Sequence, residues 1–410
     1  MKPIVFFSAA QNEMNEYHQA LLVRLMEKAG EVKGETGIPG LKLDFNFGLR
    51  LEIPAGDFAV RVSDSESGQV YFEGEVSNQL LASMEKYYIP WQVEVYQSGS
   101  MVFAHRLDVT EQTVYFHLGN ALGDMLAVMP YVLAFQEKYN CRVVCERQEN
   151  FAPLFDVCWP QFPMVEKLPE DAYAAFVLGI FQDAPILSPT DARSVPLTQL
   201  GGVLLRLPVV PRKLQLTAAG RNPLIEEPYV CIATQASGVN KCWHYPQGWE
   251  IIIKRLKQAG YCVLCIDGDR ELRQGSYHVG IPEGAEDYTG RRPLDERLAL
   301  LNGAACFIGV SSGLSWLAYA AGTPVVMISG FTLPSNEFFT PYRVINYQVC
   351  HGCHNDLRVD DKNYFCPYHQ GTEREMECSK EITAEQVWQQ VQRCLLVGES
   401  CYEKNEHYNT

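Results

Sequence analysis

From residue 228 onward the chain alternates short apolar runs with amphipathic stretches. PYVCIAT is followed by WEIIIKRLKQAG, YCVLCID by LDERLALLNGA, and CFIGV by GLSWLAYAAG, before PVVMIS closes the series. The apolar runs are too short for helices, and the stretches between them repeat apolar positions at helical spacing, so strands and helices are predicted in alternation. Such an order builds a parallel sheet with helices on both faces. Residues 113–146, TVYFHLGNALGDMLAVMPYVLAFQEKYNCRVVCE, write one more unit of strand, glycine turn, helix and strand.

Between about 43 and 108 the period changes to two. LDFNFGLRLEI, DFAVRVSD, QVYFEGEV, WQVEVYQSG and SMVFAHRLDV alternate apolar and polar residues between Gly, Asp, Ser and Pro punctuation, which predicts a small antiparallel β domain. MNEYHQALLVRLMEKAG reads as a helix before it, and TAEQVWQQVQRCLLVG as a late helix opened by Thr383. The expected organisation is α/β. It comprises a helix and small β domain in 1–110, Rossmann-like units in 111–215 and 216–348, a cysteine-rich segment in 349–382, and a helix with tail in 383–410. A proline-rich stretch near 207–228 joins the two Rossmann-like units, and ligands of such a pair sit at the carboxyl ends of the strands, in the cleft between them.

Size and composition fit this organisation. A chain of 410 residues exceeds one core at about 150 residues per domain. The hydrophobic fraction of 47% and charged fraction of 20% are those of an ordinary globular protein. A net charge of −15 disfavours nucleic acid as a partner, because phosphate contacts need a basic surface. No run approaches the length of a membrane span and the N-terminus carries no convincing cleavage site, so a cytoplasmic location is expected. The 14 cysteines then read as thiols or metal ligands, with Cys231, Cys262, Cys265 and Cys306 as small buried hydrophobes.

Three loops carry candidate chemistry. In HLGNALGDMLAVMP, Asp124 starts a helix, where it either complements the helix dipole or projects into the cleft as a general base. In ATQASGVNKCWHYPQGW, Thr234 and Gln235 belong to a loop of exposed backbone donors, and Lys241 is either a solvated lysine or a counter-charge for a diphosphate. In IGVSSGLSW, Ser311, Ser312 and Gly313 precede a helix whose bare N–H groups make an anion site, although a plain serine cap is equally well served. A fourth segment holds Cys350, Cys353, Cys366 and Cys378 at C-x2-C-x12-C-x11-C spacing, which suits a closed four-thiolate site, with zinc the commonest metal. His351, His354 and His369 nearby are alternative ligands or, more simply, solvated loop residues.

Together, LGNALGDMLAVMP, NKCWHYPQGW, IGVSSGLSWLAYAAGTPVVMISGF and the cysteine segment resemble the bacterial autotransporter heptosyltransferase family, over about residues 43 to 393. The resemblance implies a GT-B fold of two Rossmann-like domains and inverting transfer of heptose from ADP-heptose to serine hydroxyls of autotransporter adhesin polypeptides, in the cytoplasm. It also implies twelve-subunit assemblies, each subunit holding one iron ion on four cysteines. Carried over, Asp124 is the base, and Lys241 contacts the donor diphosphate. Ser311, Ser312, Gly313 and Leu314 hold the donor's phosphates and sugar, and Cys350, Cys353, Cys366 and Cys378 hold the iron. The related lipopolysaccharide enzymes usually carry Asp-Thr-Gly-Leu with a His two residues on, where this chain has SSGLSW. Two rival readings are a lipopolysaccharide-core heptosyltransferase and a non-catalytic metal ribbon that binds a protein partner.

Overall fold

The computed structural model describes residues 2–9, 15–180, 186–218, 225–359 and 364–406, with side chains through 396. Part of the linker expected at 207–228 (219–224) and the end of the tail (407–410) lie outside the described residues.

The first half runs β1 (Ile4–Phe7), α1 (Glu16–Ala29), β2 (Lys42–Asn46), β3 (Arg50–Glu52), β4 (Phe58–Asp64), β5 (Val70–Val76), β6 (Leu80–Ser83), β7 (Trp91–Gln97) and β8 (Ser100–Arg106). It continues with β9 (Thr113–Leu118), α2 (Leu122–Tyr139), β10 (Arg142–Glu146), α3 (Ala152–Cys158), β11 (Met164–Val165), β12 (Ala174–Leu178) and α4 (Leu197–Leu204). These strands build a mixed sheet, β1-β6-β3-β2-β12-β9-β10-β11, and a separate antiparallel sheet, β5-β4-β7-β8.

The alternating run at 43–108 thus divides between two sheets. β2 joins the parallel strands by pairing Phe45 with Ala174 and Asn46 with Ala175, and β3 and β6 follow it outward. The physical reason is visible in burial: β2 is covered on both faces, as a strand inside a large sheet must be, whereas β8 keeps one side in solvent. Alternation reports which face is buried and says nothing about which neighbour a strand takes. One apolar core runs from Val60 and Val93 of the antiparallel sheet, through Phe116 and α2, to Trp316 and Leu317 of the second half.

A buried ion pair ties α1 to this sheet. Arg50 donates from Nε and Nη2 to the two oxygens of Asp44 at 2.8 and 2.6 Å, and from Nη1 to the carbonyl of Gly30 at 2.6 Å, where α1 ends. Truncating one partner strands the other charge in the core, at a cost of about 3–5 kcal/mol. Asp44→Ala is therefore expected to shift the urea unfolding midpoint down by a corresponding amount.

The second half runs β13 (Tyr229–Ala233), α5 (Gly248–Gln258), β14 (Cys262–Cys265), β15 (Glu271–Gln274), β16 (Tyr277–Gly280), β17 (Glu286–Asp287), α6 (Leu294–Gly303) and β18 (Phe307–Val310). It ends with α7 (Gly313–Ala320), β19 (Val325–Ile328), β20 (Tyr342–Val344), α8 (Glu377–Lys380) and α9 (Ala384–Glu406). Six strands form an all-parallel sheet, β17-β14-β13-β18-β19-β20, as their alternation with helices predicts. The hairpin β15–β16 interrupts that alternation, turning at Gly275 with φ +59°. Cys231, Cys265 and Cys306 are buried and Cys262 is half-buried. α9 opens with a reciprocal cap: the Thr383 hydroxyl accepts from the Gln386 N–H, and the Gln386 side chain accepts from the Thr383 N–H. It packs Val387, Val391 and Cys394 beside Ile252 and Leu256 of α5. Among the described residues no helix is long and apolar enough to cross a membrane.

Candidate active site between the two sheets

In each sheet one strand has neighbours that leave on opposite sides, β9 between β12 and β10, and β13 between β14 and β18. Loops diverge at such switch points and open a crevice at the carboxyl edge. A cleft of about 930 Å³ lies there, lined by Asp124, Glu149 and Ile180 from the first half and by Gln235, Lys241, the 311–314 loop and Glu337 from the second.

Glycines bring the amino ends of α2 and α7 together. A methyl group added at Gly313 would lie 2.9 Å from Leu122 Cβ and 3.2 Å from the Gly123 nitrogen, and one at Gly123 would lie 3.1 Å from Trp316 Cδ1. Gly313→Ala is expected to push the halves apart at the cleft floor, costing about 1–3 kcal/mol as an overpacked contact does. The check is a lower Tm together with a raised KM for the donor.

Asp124 stands in the first turn of α2, beside glycines at the ends of β9 and β12, where its Oδ2 would lie 3.8 Å from a methyl at Gly119. Burial raises its pKa to about 6, opposed by the charge of Lys241 and by N–H donation from Ile180. The carboxyl group thus sits across the cleft from the lysine that sequence reasoning paired with a diphosphate.

The residues of the second half that the sequence put forward for a donor line the cleft, with one exception. Thr234 is fully buried and does not line the cleft; its N–H and hydroxyl both donate to Asp267 Oδ2 at 2.9 Å, fastening β13 to the end of β14. Gln235 does reach the cleft, donating to the Asp269 carbonyl at 3.2 Å. Ser311, Ser312, Gly313 and Leu314 all line the cleft where α7 begins. The Ser311 hydroxyl donates to Glu337, whereas the Ser312 hydroxyl oxygen is buried with no protein partner among the described residues.

The loop carrying Lys241 is built against the cysteine segment. The Asn240 N–H donates to the Tyr364 carbonyl at 3.2 Å and its side-chain amide to the Phe365 carbonyl at 3.4 Å. Ser379 Oγ accepts from the His244 N–H at 2.8 Å and donates to the Cys242 carbonyl at 2.5 Å, and the Trp243 indole donates to the Ile382 carbonyl at 2.9 Å. Val239 packs on Cys366 and Met376. The segment also reaches the other half: Arg193 Nη1 donates to the Val359 carbonyl at 2.7 Å, and Asn355 donates to the Arg193 carbonyl at 3.0 Å.

Cys350, Cys353, Cys366 and Cys378 line one cavity of about 10 Å³, with Sγ of Cys350 and Cys353 4.0 Å apart. Burial first, then the neighbouring thiols, hold Cys353 and Cys378 far above the ordinary thiol range, a cost that a bound cation offsets. The donor set therefore fits a thiophilic metal. His369 is half-exposed, and its ring, Cys350 Sγ and a Glu377 oxygen lie within 4.8 Å of one another, so both of its sequence readings stand. His354 corrects its reading as a solvated loop residue: it is buried, facing the main cleft beside Phe331. Glu337, Asn240 and Arg193 escaped sequence reasoning, although a lone Glu after the strand in ISGFTLPSNEFF, at the ligand-bearing edge, was a usable signal.

A family model described as glycosyltransferase family 9 (heptosyltransferase) matches residues 206–368, and one described as the N-terminal domain of glycosyltransferase TibC matches residues 37–99. The chain is 38% identical over 372 residues to the autotransporter heptosyltransferase BAHTCr of Citrobacter rodentium, covering 87% of this chain and 90% of that one. The chain belongs to the autotransporter heptosyltransferase family. Autotransporter heptosyltransferase TibC of Escherichia coli is 37% identical over 86% of this chain and 89% of its own length. A crystal structure of dodecameric, iron-containing TibC with ADP-D-β-D-heptose aligns with a TM-score of 0.84 at 34% identity, covering 90% of this chain and 99% of that one. As a member of the autotransporter heptosyltransferase family, the protein is a glycosyltransferase that transfers heptose.

Proposed function

We propose that this GT-B enzyme transfers heptose from ADP-heptose to serine hydroxyls of an autotransporter adhesin, in the cytoplasm, with inversion at the anomeric carbon. The observation that carries the reading is the half-buried Asp124 carboxyl facing Lys241 across the cleft, with its pKa raised to about 6. A serine hydroxyl is a poor nucleophile at neutral pH, so a carboxylate takes its proton as the oxygen attacks. The bond from the anomeric carbon to the phosphate oxygen breaks on the opposite face. The charge left on ADP meets Lys241 and the N–H groups at the start of α7, which do the work without a divalent metal.

Cys350, Cys353, Cys366 and Cys378 would hold one iron ion per subunit, with zinc as the alternative and His369 within reach of the same cavity. When bound, the ion supplies a structural cross-link. The assembly is proposed to be a dodecamer, as in TibC. Co-expression with a candidate adhesin tests the reading: its intact mass should rise in heptose-sized steps. Transfer onto lipid-linked core sugar with no gain on the adhesin would assign the lipopolysaccharide reaction instead. Failure to bind any ADP-sugar would return the protein to the partner-binding class.

A further inference from the structure

The segment after β19 brings a carboxylate to the cleft wall that the transfer mechanism does not use. Glu337 is 5% exposed. Its Oε1 accepts from the Ser311 hydroxyl, and its Oε2 accepts from Arg343 Nη1 at 2.8 Å and from the Thr332 hydroxyl at 3.3 Å. A carboxylate offers about four acceptor positions. Among the described residues three are filled, and the remaining one is on Oε1, the oxygen shared with the 311–314 loop. Ser312, next to Ser311, has a hydroxyl oxygen that is buried without a protein partner among the described residues, and both residues line the cleft.

An unfilled carboxylate acceptor and an unpartnered hydroxyl on the wall of the same cleft match an alcohol. It does not match a phosphate oxygen, which the carboxylate would repel. Strand order says where along the donor this pair lies. From one end of the six-stranded sheet to the other, the cleft edge presents Asp269 after β14, Lys241 after β13, the 311–314 loop after β18 and Glu337 after β19. With the diphosphate at Lys241 and the start of α7, nucleoside and sugar must extend in opposite directions. The sugar end is the one reached from Asp124 through the Gly123–Gly313 contact, and that path leads to Ser311 and Glu337. Arg343 balances the charge of Glu337 from behind, so the group stays a strong acceptor inside a buried wall.

We propose that Glu337, assisted by Ser312, accepts a hydrogen bond from a hydroxyl of the donor sugar and thereby selects the sugar. The proposal rests on the ADP-heptose reading above. Calorimetric titration of the metal-loaded protein with ADP and with ADP-heptose, for wild type, Glu337→Gln and Ser312→Ala, tests it. A lost hydrogen bond to a charged acceptor should weaken ADP-heptose binding about 10- to 100-fold in Glu337→Gln, with ADP affinity within about twofold of wild type. Ser312→Ala, which removes no hydrogen bond among the described residues, should show the same selective loss on a smaller scale, and it decides the matter if Glu337→Gln fails to fold. Equal losses for ADP and ADP-heptose would make Glu337 a support for the 311–314 loop and overturn the proposal, as would unchanged ADP-heptose binding in both variants. Wild type that binds ADP but not ADP-heptose would instead overturn the donor reading itself.

Discussion

Asp124→Asn is expected to lower kcat for heptose transfer by about 10²–10⁴-fold, the usual contribution of a positioned base, with ADP-heptose binding preserved. Single-turnover transfer and calorimetry on the same preparation separate the two quantities. The substitution keeps the size of the side chain and removes only its ability to take a proton, so a loss of binding would reassign Asp124 to the donor site. The pH profile follows from the same group. Burial raises the carboxyl pKa to about 6 and Lys241 opposes the rise, so the base form disappears as pH falls through about 6. kcat/KM should then drop about tenfold per pH unit below that point, with one proton taken up by the free enzyme as the cause.

Stability moves the other way. A carboxyl whose folded pKa lies above its ordinary value of 3.8 contributes stability below that value, and the contribution is lost as pH rises through about 6. At neutral pH the ionised Asp124 is a burden on the fold. Asp124→Asn should therefore melt no lower than wild type at pH 7 while losing turnover. A variant that loses both Tm and rate would point to a structural part for the aspartate.

The second large effect is expected from the cysteine segment. Cys353→Ser combined with Cys378→Ser should abolish metal retention and lower Tm by roughly 5–10 °C, taking a loss of a few kcal/mol at about 2–4 °C per kcal/mol. ADP affinity should fall about tenfold as well, because the backbone around Lys241 loses the contacts that hold it. The route is specific: Asn240 leans on the carbonyls of Tyr364 and Phe365, and Ser379 and Ile382 hold residues 242–244. Hydrogen exchange should quicken at 238–244 and stay slow in β13 and β14. Asn240→Ala should reproduce the affinity loss with the metal content intact. Loss of metal with unchanged ADP affinity and unchanged exchange at 238–244 would show that the loop stands without the segment.

The uneven legibility of the sequence has a physical origin. The second half could be read because each strand pairs with another of its kind, so local period and order suffice to build the sheet. The run at 43–108 could be read for its period but not its partners: Phe45 meets Ala174 across more than a hundred residues, and nothing in LDFNF encodes that meeting. The site divides in the same way. Asp124, Lys241 and the 311–314 loop follow strands and announce themselves by glycine and charge at the expected edge. Thr234 looked like its neighbours and turned inward because Asp267 claims both of its donors. Glu337, Asn240 and Arg193 matter through partners distant in the chain, so their residue types alone carry no sign of a role. His354 was misread because a loop rich in polar residues was assumed to be solvated, when part of it folds over the main cleft.

Arg193 gives the cysteine segment a meaning beyond scaffolding. It lies in the first half, yet its guanidinium group grips carbonyls of residues 356, 357 and 359, while Asn355 holds its own carbonyl in return. The halves already touch at the floor of the cleft through Gly123 and Gly313, so this grip gives them a second point of attachment. They resemble a book bound at the spine and tied at one edge: any wider opening of the covers has to release the Arg193 tie.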